Sequence, residues 1–247
     1  MERIPKIIHY CWFGKQPLPA LALKCIESWK KFMPDYEIKE WNESNFDVNI
    51  IPYTQEAYKM GKYAFVSDYV RFWILYNYGG IYFDTDVEML KSIDNIIQKG
   101  AFMGCEQNGI RNKSYPSVNP GLGLACKPKM KIYEELLELY SKLHFQLESK
   151  DTKLKTVVDY TTDILIEHGL EKNNSIQNIC DCYIYPSEYF CPINITTKKL
   201  KITSKTYTIH HYAASWVDVS LINKIKGTLQ KVTPEKILIW YNQIKNK

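Results

Sequence analysis

The stretch from Tyr63 to Asp86 constrains this chain more than any other. Phe65, Val66, Tyr69, Val70, Trp73 and Tyr76 recur at three- and four-residue steps, which predicts a helix over Tyr63 to Tyr78. Gly79-Gly80 ends it. A short strand, Ile81 to Phe83, then runs directly into Asp84-Thr85-Asp86. In an extended chain, residues two apart point to the same side, so Asp84 and Asp86 should present two carboxylates together at a strand end. Such a pair is a hard oxygen site suited to Mg²⁺ or Mn²⁺. The competing reading is a polar turn after a strand. On the preceding helix Asp68 and Arg71 are three apart and share one face. That face is otherwise apolar, so they should be paired or aimed at a ligand.

Upstream, Lys6 to Phe13 reads as a buried strand that is apolar apart from His9, a histidine best read as a satisfied core residue. Leu21 to Phe32 has helical spacing and Tyr36 to Trp41 reads as a second strand. Strand, helix, strand predicts an α/β unit with a mainly parallel sheet flanked by helices. Ala101 to Cys105 and Leu122 to Cys126 read as further strands, separated by the polar segment Gln107 to Pro120, which is long enough to be functional. Asn119-Pro120-Gly121-Leu122-Gly123 follows as a turn whose glycines would let backbone approach a ligand. Helices are predicted over Met130 to Leu147 and Thr156 to His168, and a late strand over Thr206 to His211. Glu88 reads either as outer support for the acidic pair or as an exposed edge residue. His144 and His168 read as structural or exposed.

The 247 residues fit one large domain, or one with an added helical lobe. A net charge of +5 from 32 basic and 27 acidic residues is too mild to imply nucleic acid. It suits a polyanionic small ligand such as a nucleoside diphosphate. Seven scattered cysteines without a CxxC argue against a disulfide framework or zinc site, and for a reducing, cytoplasmic setting. Met1 to Tyr10 lacks the apolar core of a signal peptide, and no run of about 18 apolar residues would span a membrane. The basic tail 221–247 reads as a helix packed on the domain, with peripheral contact to an anionic membrane face as the alternative.

Three blocks resemble the family 32 glycosyltransferases, which carry a sugar-binding region with a DXD motif. They are Ile4 to Gly14, Ser67 to Arg71 with Tyr78 to Asp86, and His210 to Trp216. Bacterial capsule and lipopolysaccharide enzymes, the yeast outer-chain mannosyltransferase and the large clostridial glucosylating toxins share these blocks. The resemblance implies a GT-A-type fold over 1–247, a divalent cation (Mn²⁺ or Mg²⁺), and transfer with retention of configuration. It implies that Trp12 stacks on the nucleobase, and that Asp68 and Arg71 hold donor-sugar hydroxyls and the leaving diphosphate. Asp84 is implied near ribose and sugar, touching the metal mainly through water, and Asp86 is the direct ligand. Trp216, with Ser215 where Ala214 replaces a serine of the toxins, is implied at the diphosphate. His211 is implied as a further metal ligand, with His210 adjacent as the other candidate. The expected donor is a UDP-sugar ahead of a GDP-sugar. The expected acceptor is a saccharide or lipid-linked glycan in polysaccharide biosynthesis. The alternatives are an effector that glycosylates a protein, and an inactive sugar- or metal-binding module.

Overall fold

The computed structural model describes residues 3–106, 115–145, 155–194, 197 and 199–213. β1 (Ile7–Cys11) leads through α1 (Ala20–Phe32) to β2 (Glu37–Trp41). α2 (Pro52–Lys59) precedes α3 (Tyr63–Tyr78), β3 (Gly80–Tyr82) and β4 (Val87–Met89). α4 (Asp94–Ile97) is followed by β5 (Ala101–Glu106), β6 (Ser117–Val118) and β7 (Leu124–Cys126). Then come α5 (Lys131–Ser141), α6 (Val157–Glu167), β8 (Gln177–Ile179), β9 (Cys182–Tyr185), α7 (Ser187–Phe190) and β10 (Thr208–His210).

The main sheet runs β2-β1-β3-β7-β5-β9-β8, with β6 paired to β5. β1 is parallel to β2 and β3, and β5 is parallel to β9, while β7 lies antiparallel between β3 and β5. Five of the eight strands therefore point one way. Side chains alternate between two cores, as the pleat requires. Ile8, Tyr10, Ile81, Phe83 and Phe102 pack with Cys25, Ile26 and Trp29 of α1 and Phe190 of α7. Cys11, Tyr82, Met103, Leu124 and Cys126 face the opposite way, onto Val70, Phe72 and Leu75 of α3 and Tyr133 and Leu136 of α5. The result is a helix/sheet/helix sandwich, the α/β class expected from the sequence.

Several boundaries differ from expectation, among them β1, which is Ile7–Cys11 rather than Lys6 to Phe13, and β10, which is Thr208–His210 rather than Thr206 to His211. α5 stops at Ser141 rather than Leu147. β7 starts at Leu124 because Leu122 closes a turn, donating its N–H to the Asn119 carbonyl at 3.2 Å. β3 ends at Tyr82, one residue early. α2 and the β8–β9 hairpin were not anticipated.

His9 is a satisfied core residue. Trp41 Nε1 donates to its Nδ1 at 3.1 Å, which leaves Nε2–H to donate to the Gly79 carbonyl at 3.0 Å. Gly79 and Gly80 have φ of +64° and +95°, and a Cβ on Gly80 would lie 2.7 Å from the Ile7 carbonyl. The glycine pair thus lets α3 drop onto β1 at close range. Burial lowers the His9 pKa from 6.5 to about 4, against the hydrogen bond to Gly79. The unfolded chain then takes up a proton first as pH falls. The neutral imidazole contributes stability above pH 6.5 that is lost progressively towards pH 4, about 3 kcal/mol in all. Urea unfolding at pH 7 and pH 5 should show a loss of about 2 kcal/mol that shrinks in His9→Gln. An unchanged pH slope in the variant would show that His9 does not titrate this way.

Candidate functional site

Because β1, β2, β3, β5 and β9 run in one direction, their carboxyl ends share one edge of the sheet. Ligands of open α/β sheets bind at that edge. The acidic pair stands there, but not on an extended strand. Val87 N–H donates to the Asp84 carbonyl at 3.1 Å, so Asp84 to Val87 form a turn between β3 and β4. The two carboxylates converge across this turn rather than by strand alternation. α1 holds the far side of the turn in place: Trp29 Nε1 donates to the Val87 carbonyl at 2.7 Å, and Met89 N–H to Ser28 Oγ at 2.8 Å.

α3 supplies the positive charge. Arg71, 3% exposed, reaches Asp68 Oδ1 at 2.9 Å and Asp84 Oδ1 at 3.3 Å through Nη2, while Nε donates to the Ser67 carbonyl at 3.1 Å. Its guanidinium also lies 5.0 Å from the Tyr82 ring centroid, and Tyr82 Oη donates to Asp84 Oδ1 at 3.0 Å. Burial works against the arginine's charge, and Asp84, Tyr82 and Asp68 outweigh it. The structure thus brings together Asp68, Arg71 and Asp84, as the sequence led us to expect.

The third contribution comes from the far end of the described chain. β10 pairs antiparallel with β4, setting His210 opposite Val87. His210 Nε2 lies 3.1 Å from Asp86 Oδ1. Beyond it, His211 N–H donates to the Asp86 carbonyl at 3.0 Å and Ala213 N–H to Asp86 Oδ2 at 2.8 Å. Burial opposes ionisation of Asp86, but the His210 charge and these hydrogen bonds prevail and hold its pKa at about 2. For Asp84, burial is the larger effect and raises the pKa, with Arg71 resisting. His210 is pushed the other way by its neighbours: burial lowers its pKa, and Asp86 more than restores it.

Asp84, Asp86 and His210 offer ligand atoms that lie within 4.8 Å of one another. Two carboxylates and an imidazole, with water completing the shell, are a donor set that suits a divalent cation. His210 Nδ1 is buried without a hydrogen-bond partner among the described residues, while Nε2–H faces the Asp86 carboxylate, so the ring would release that proton to bind an ion through Nε2. The residues fit an ion. His211, the ligand expected from the sequence, is turned away: its Nε2 lies 2.8 Å from Glu88 Oε2, and Glu88 also pairs with Lys24 at 2.9 Å. The reason is strand alternation, which sends neighbouring side chains of β10 and its continuation to opposite faces. His210→Ala is therefore expected to weaken Mn²⁺ binding at least about tenfold, and His211→Ala by less than about threefold. Titration with Mn²⁺ followed by electron paramagnetic resonance reads this directly, and the reverse order would return the role to His211.

The Asn119–Gly123 turn completes the edge. Asp84 N–H donates to the Gly121 carbonyl at 3.2 Å, and a Cβ on Gly121 would overlap the Asp84 carboxylate. The glycine is required by the approach of Asp84. Sequence reasoning missed Glu106, a carboxylate ending β5 that is 4% exposed. Its signal was an acid closing an otherwise apolar strand. Trp12 sits just past β1, next to β3 in the sheet, donating its backbone N–H to the Trp41 carbonyl at 2.8 Å and its Nε1 to the Gln16 carbonyl at 2.6 Å. Ala214, Ser215, Trp216 and the tail 221–247 lie outside the described residues. Among the described residues no helix is long and apolar enough to cross a membrane.

Residues 19–103 match the family described as "Glycosyltransferase sugar-binding region containing DXD motif". This span contains Asp68, Arg71, Asp84 and Asp86, but neither Trp12 nor His210. Inositol phosphoceramide mannosyltransferase 1 of Schizosaccharomyces pombe is 29% identical over 114 residues, which is 42% of this chain and 34% of that protein. The chain thus spans about a third of the length of that relative. An uncharacterised glycosyltransferase of Acanthamoeba polyphaga mimivirus is 25% identical over 86% of this chain and 84% of its own. Among solved structures, the PaToxG glycosyltransferase superposes with a TM-score of 0.50 at 20% identity, covering 67% of this chain and 70% of that one. The fold is that of the GT-A glycosyltransferases.

Proposed function

Since residues 19–103 carry the DXD-containing sugar-binding region of glycosyltransferases, we propose that the chain is a metal-dependent glycosyltransferase acting with retention of configuration. It moves a hexose from a nucleotide sugar, a UDP-sugar in this reading, to a hydroxyl of a saccharide or lipid-linked glycan of the capsule or lipopolysaccharide kind. The observation that supports it best is the Asp84–Asp86–His210 cluster at the carboxyl edge of the sheet, with Arg71 behind it.

Glycosyl transfer places growing negative charge on a departing diphosphate. A cation held by Asp86, Asp84 and His210 would stabilise that charge as a Lewis acid. Arg71 is fixed by Ser67, Asp68 and Asp84 before any ligand arrives, so its positive charge needs little reorganisation. Asp68, on the same helical turn, is assigned to sugar hydroxyls by the family resemblance. Trp12 offers a ring for the nucleobase at the end of β1. Ser215 and Trp216 are assigned to the diphosphate by the family resemblance. Asp84 and Asp86 are already committed to Arg71, Tyr82, His210 and Ala213 N–H, which argues against the free acid and base of a glycosidase.

A second reading takes a mannosyl group from a GDP-sugar to a lipid headgroup. The name of the fission yeast relative favours it. One experiment addresses both: calorimetric titration with UDP-glucose, UDP-galactose and GDP-mannose, with and without Mn²⁺, and assay of nucleoside diphosphate release. One donor should bind in a metal-dependent way and release its diphosphate. If none binds in either Mn²⁺ or Mg²⁺, the glycosyltransferase reading fails. Turnover that survives EDTA removes the metal from it.

A further inference from the structure

Glu106 is outside the ligand cluster, yet it connects to every member of it. The residue closes β5 at the carboxyl edge, and its backbone is locked by pairing with Ser117 of β6. A carboxylate this enclosed is unfavourable unless its oxygens are satisfied. Asn119 Nδ2 donates to Oε2 at 2.9 Å, and Tyr212 Oη reaches the same oxygen at 3.5 Å.

Each partner leads to the metal site by a separate route. Asn119 is pinned by its own N–H to the Gly104 carbonyl at 2.9 Å, and its Oδ1 accepts from Gly121 N–H at 2.8 Å. Gly121 in turn accepts from Asp84 N–H and leaves no room for a side chain beside the Asp84 carboxylate. On the other route, the Tyr212 ring stands edge-on to His210, centroids 4.1 Å apart at 86°. The next residue, Ala213, donates its N–H to Asp86. Tyr212 has a φ of +50°, a left-handed conformation that a tyrosine holds only when its surroundings impose it. Its hydroxyl contacts with Glu106 and Cys191 Sγ, the latter at 3.0 Å, are the restraints.

We infer that Glu106 is a positioning residue of this site, a single carboxylate that fixes the DXD turn from one side and the His210 segment from the other. The two halves of the site come from chain positions more than a hundred residues apart, and Glu106 is a point to which both are hydrogen-bonded. The inference rests on the metal-dependent reading given above.

The test compares Mn²⁺ affinity and Mn²⁺-dependent turnover in wild type, Glu106→Gln and Glu106→Ala. Glu106→Ala should raise the Mn²⁺ dissociation constant about ten- to a hundredfold, the usual effect of losing an outer partner of metal ligands. Glu106→Gln, which keeps one acceptor oxygen, should lie between. At saturating Mn²⁺ the kcat of both should return to within about threefold of wild type. If Glu106→Ala does not fold, the comparison rests on Glu106→Gln. Unchanged Mn²⁺ affinity in a folded variant overturns the positioning role. So does a collapse of kcat at saturating Mn²⁺ with normal affinity, which would move Glu106 among the reacting groups. If wild type itself binds no Mn²⁺, the metal reading falls and takes the inference with it.

Discussion

Asp86→Ala is expected to reduce turnover at least about a hundredfold while leaving the protein folded. Even outer partners of metal ligands cost about 10–100-fold when removed, so a direct ligand should exceed that. Asp86 accepts from Ala213 N–H and faces His210 at 3.1 Å, and its pKa of about 2 keeps it ionised at any working pH. Removing it takes one carboxylate from the cluster and also leaves His210 without its hydrogen-bonded counter-charge, Asp84 and Glu106 acting on it less strongly. The turn itself should survive, since Trp29 and Ser28 hold β4 through backbone atoms and the His211 N–H binds the residue-86 carbonyl rather than its side chain. Mn²⁺ titration and donor turnover, read beside a thermal melt, separate the two effects. Wild-type turnover with wild-type Mn²⁺ dependence would remove Asp86 from the metal. Asp84→Ala should cost metal affinity too, but with a larger loss of stability, because among the described residues Arg71 then keeps Asp68 as its one ion-pair partner.

The sequence disclosed most where one local pattern decided the outcome. α3 spans Tyr63–Tyr78, the bounds read from its apolar spacing, because a helix buried along Val66 to Leu75 and stopped by Gly79 needs no distant information. β1, α1 and β2 were legible for the same reason. The Asp84–Asp86 geometry was misread because strand alternation was carried past the end of β3 at Tyr82, into a turn closed by a backbone hydrogen bond. The choice between His210 and His211 could not be made locally. Adjacent residues on a strand face opposite ways, and which way is fixed by the pairing of His210 with Val87, 123 positions earlier. α2 is short and partly polar, and β8 carries Gln177 and Asn178, so neither has an apolar period to detect. Glu106 was visible only as an acid at a strand end; its partners Asn119 and Tyr212 meet it through the fold.

Arg71 should be the most damaging position to truncate for stability and activity together. It is buried between two carboxylates, Asp68 at 10% and Asp84 at 29% side-chain exposure. Removing one member of a buried charge network leaves the others uncompensated, at a cost of about 3–5 kcal/mol. Asp84 retains some solvent, which favours the lower figure, about 3 kcal/mol. Arg71→Ala should therefore shift urea unfolding by that amount and lower turnover about 10²–10³-fold, the usual loss for a preorganised charge at a developing anion. Arg71→Lys distinguishes the two roles. An ammonium restores a positive charge near Asp68 and Asp84, so much of the stability should return. It cannot also donate to the Ser67 carbonyl while lying over the Tyr82 ring, as the guanidinium does. Turnover of Arg71→Lys should accordingly stay at least about tenfold below wild type, because the charge is present but no longer aimed. Full activity in Arg71→Lys would mean that charge alone suffices there, and an Arg71→Ala variant as stable as wild type would mean that the ion pair contributes nothing to the fold.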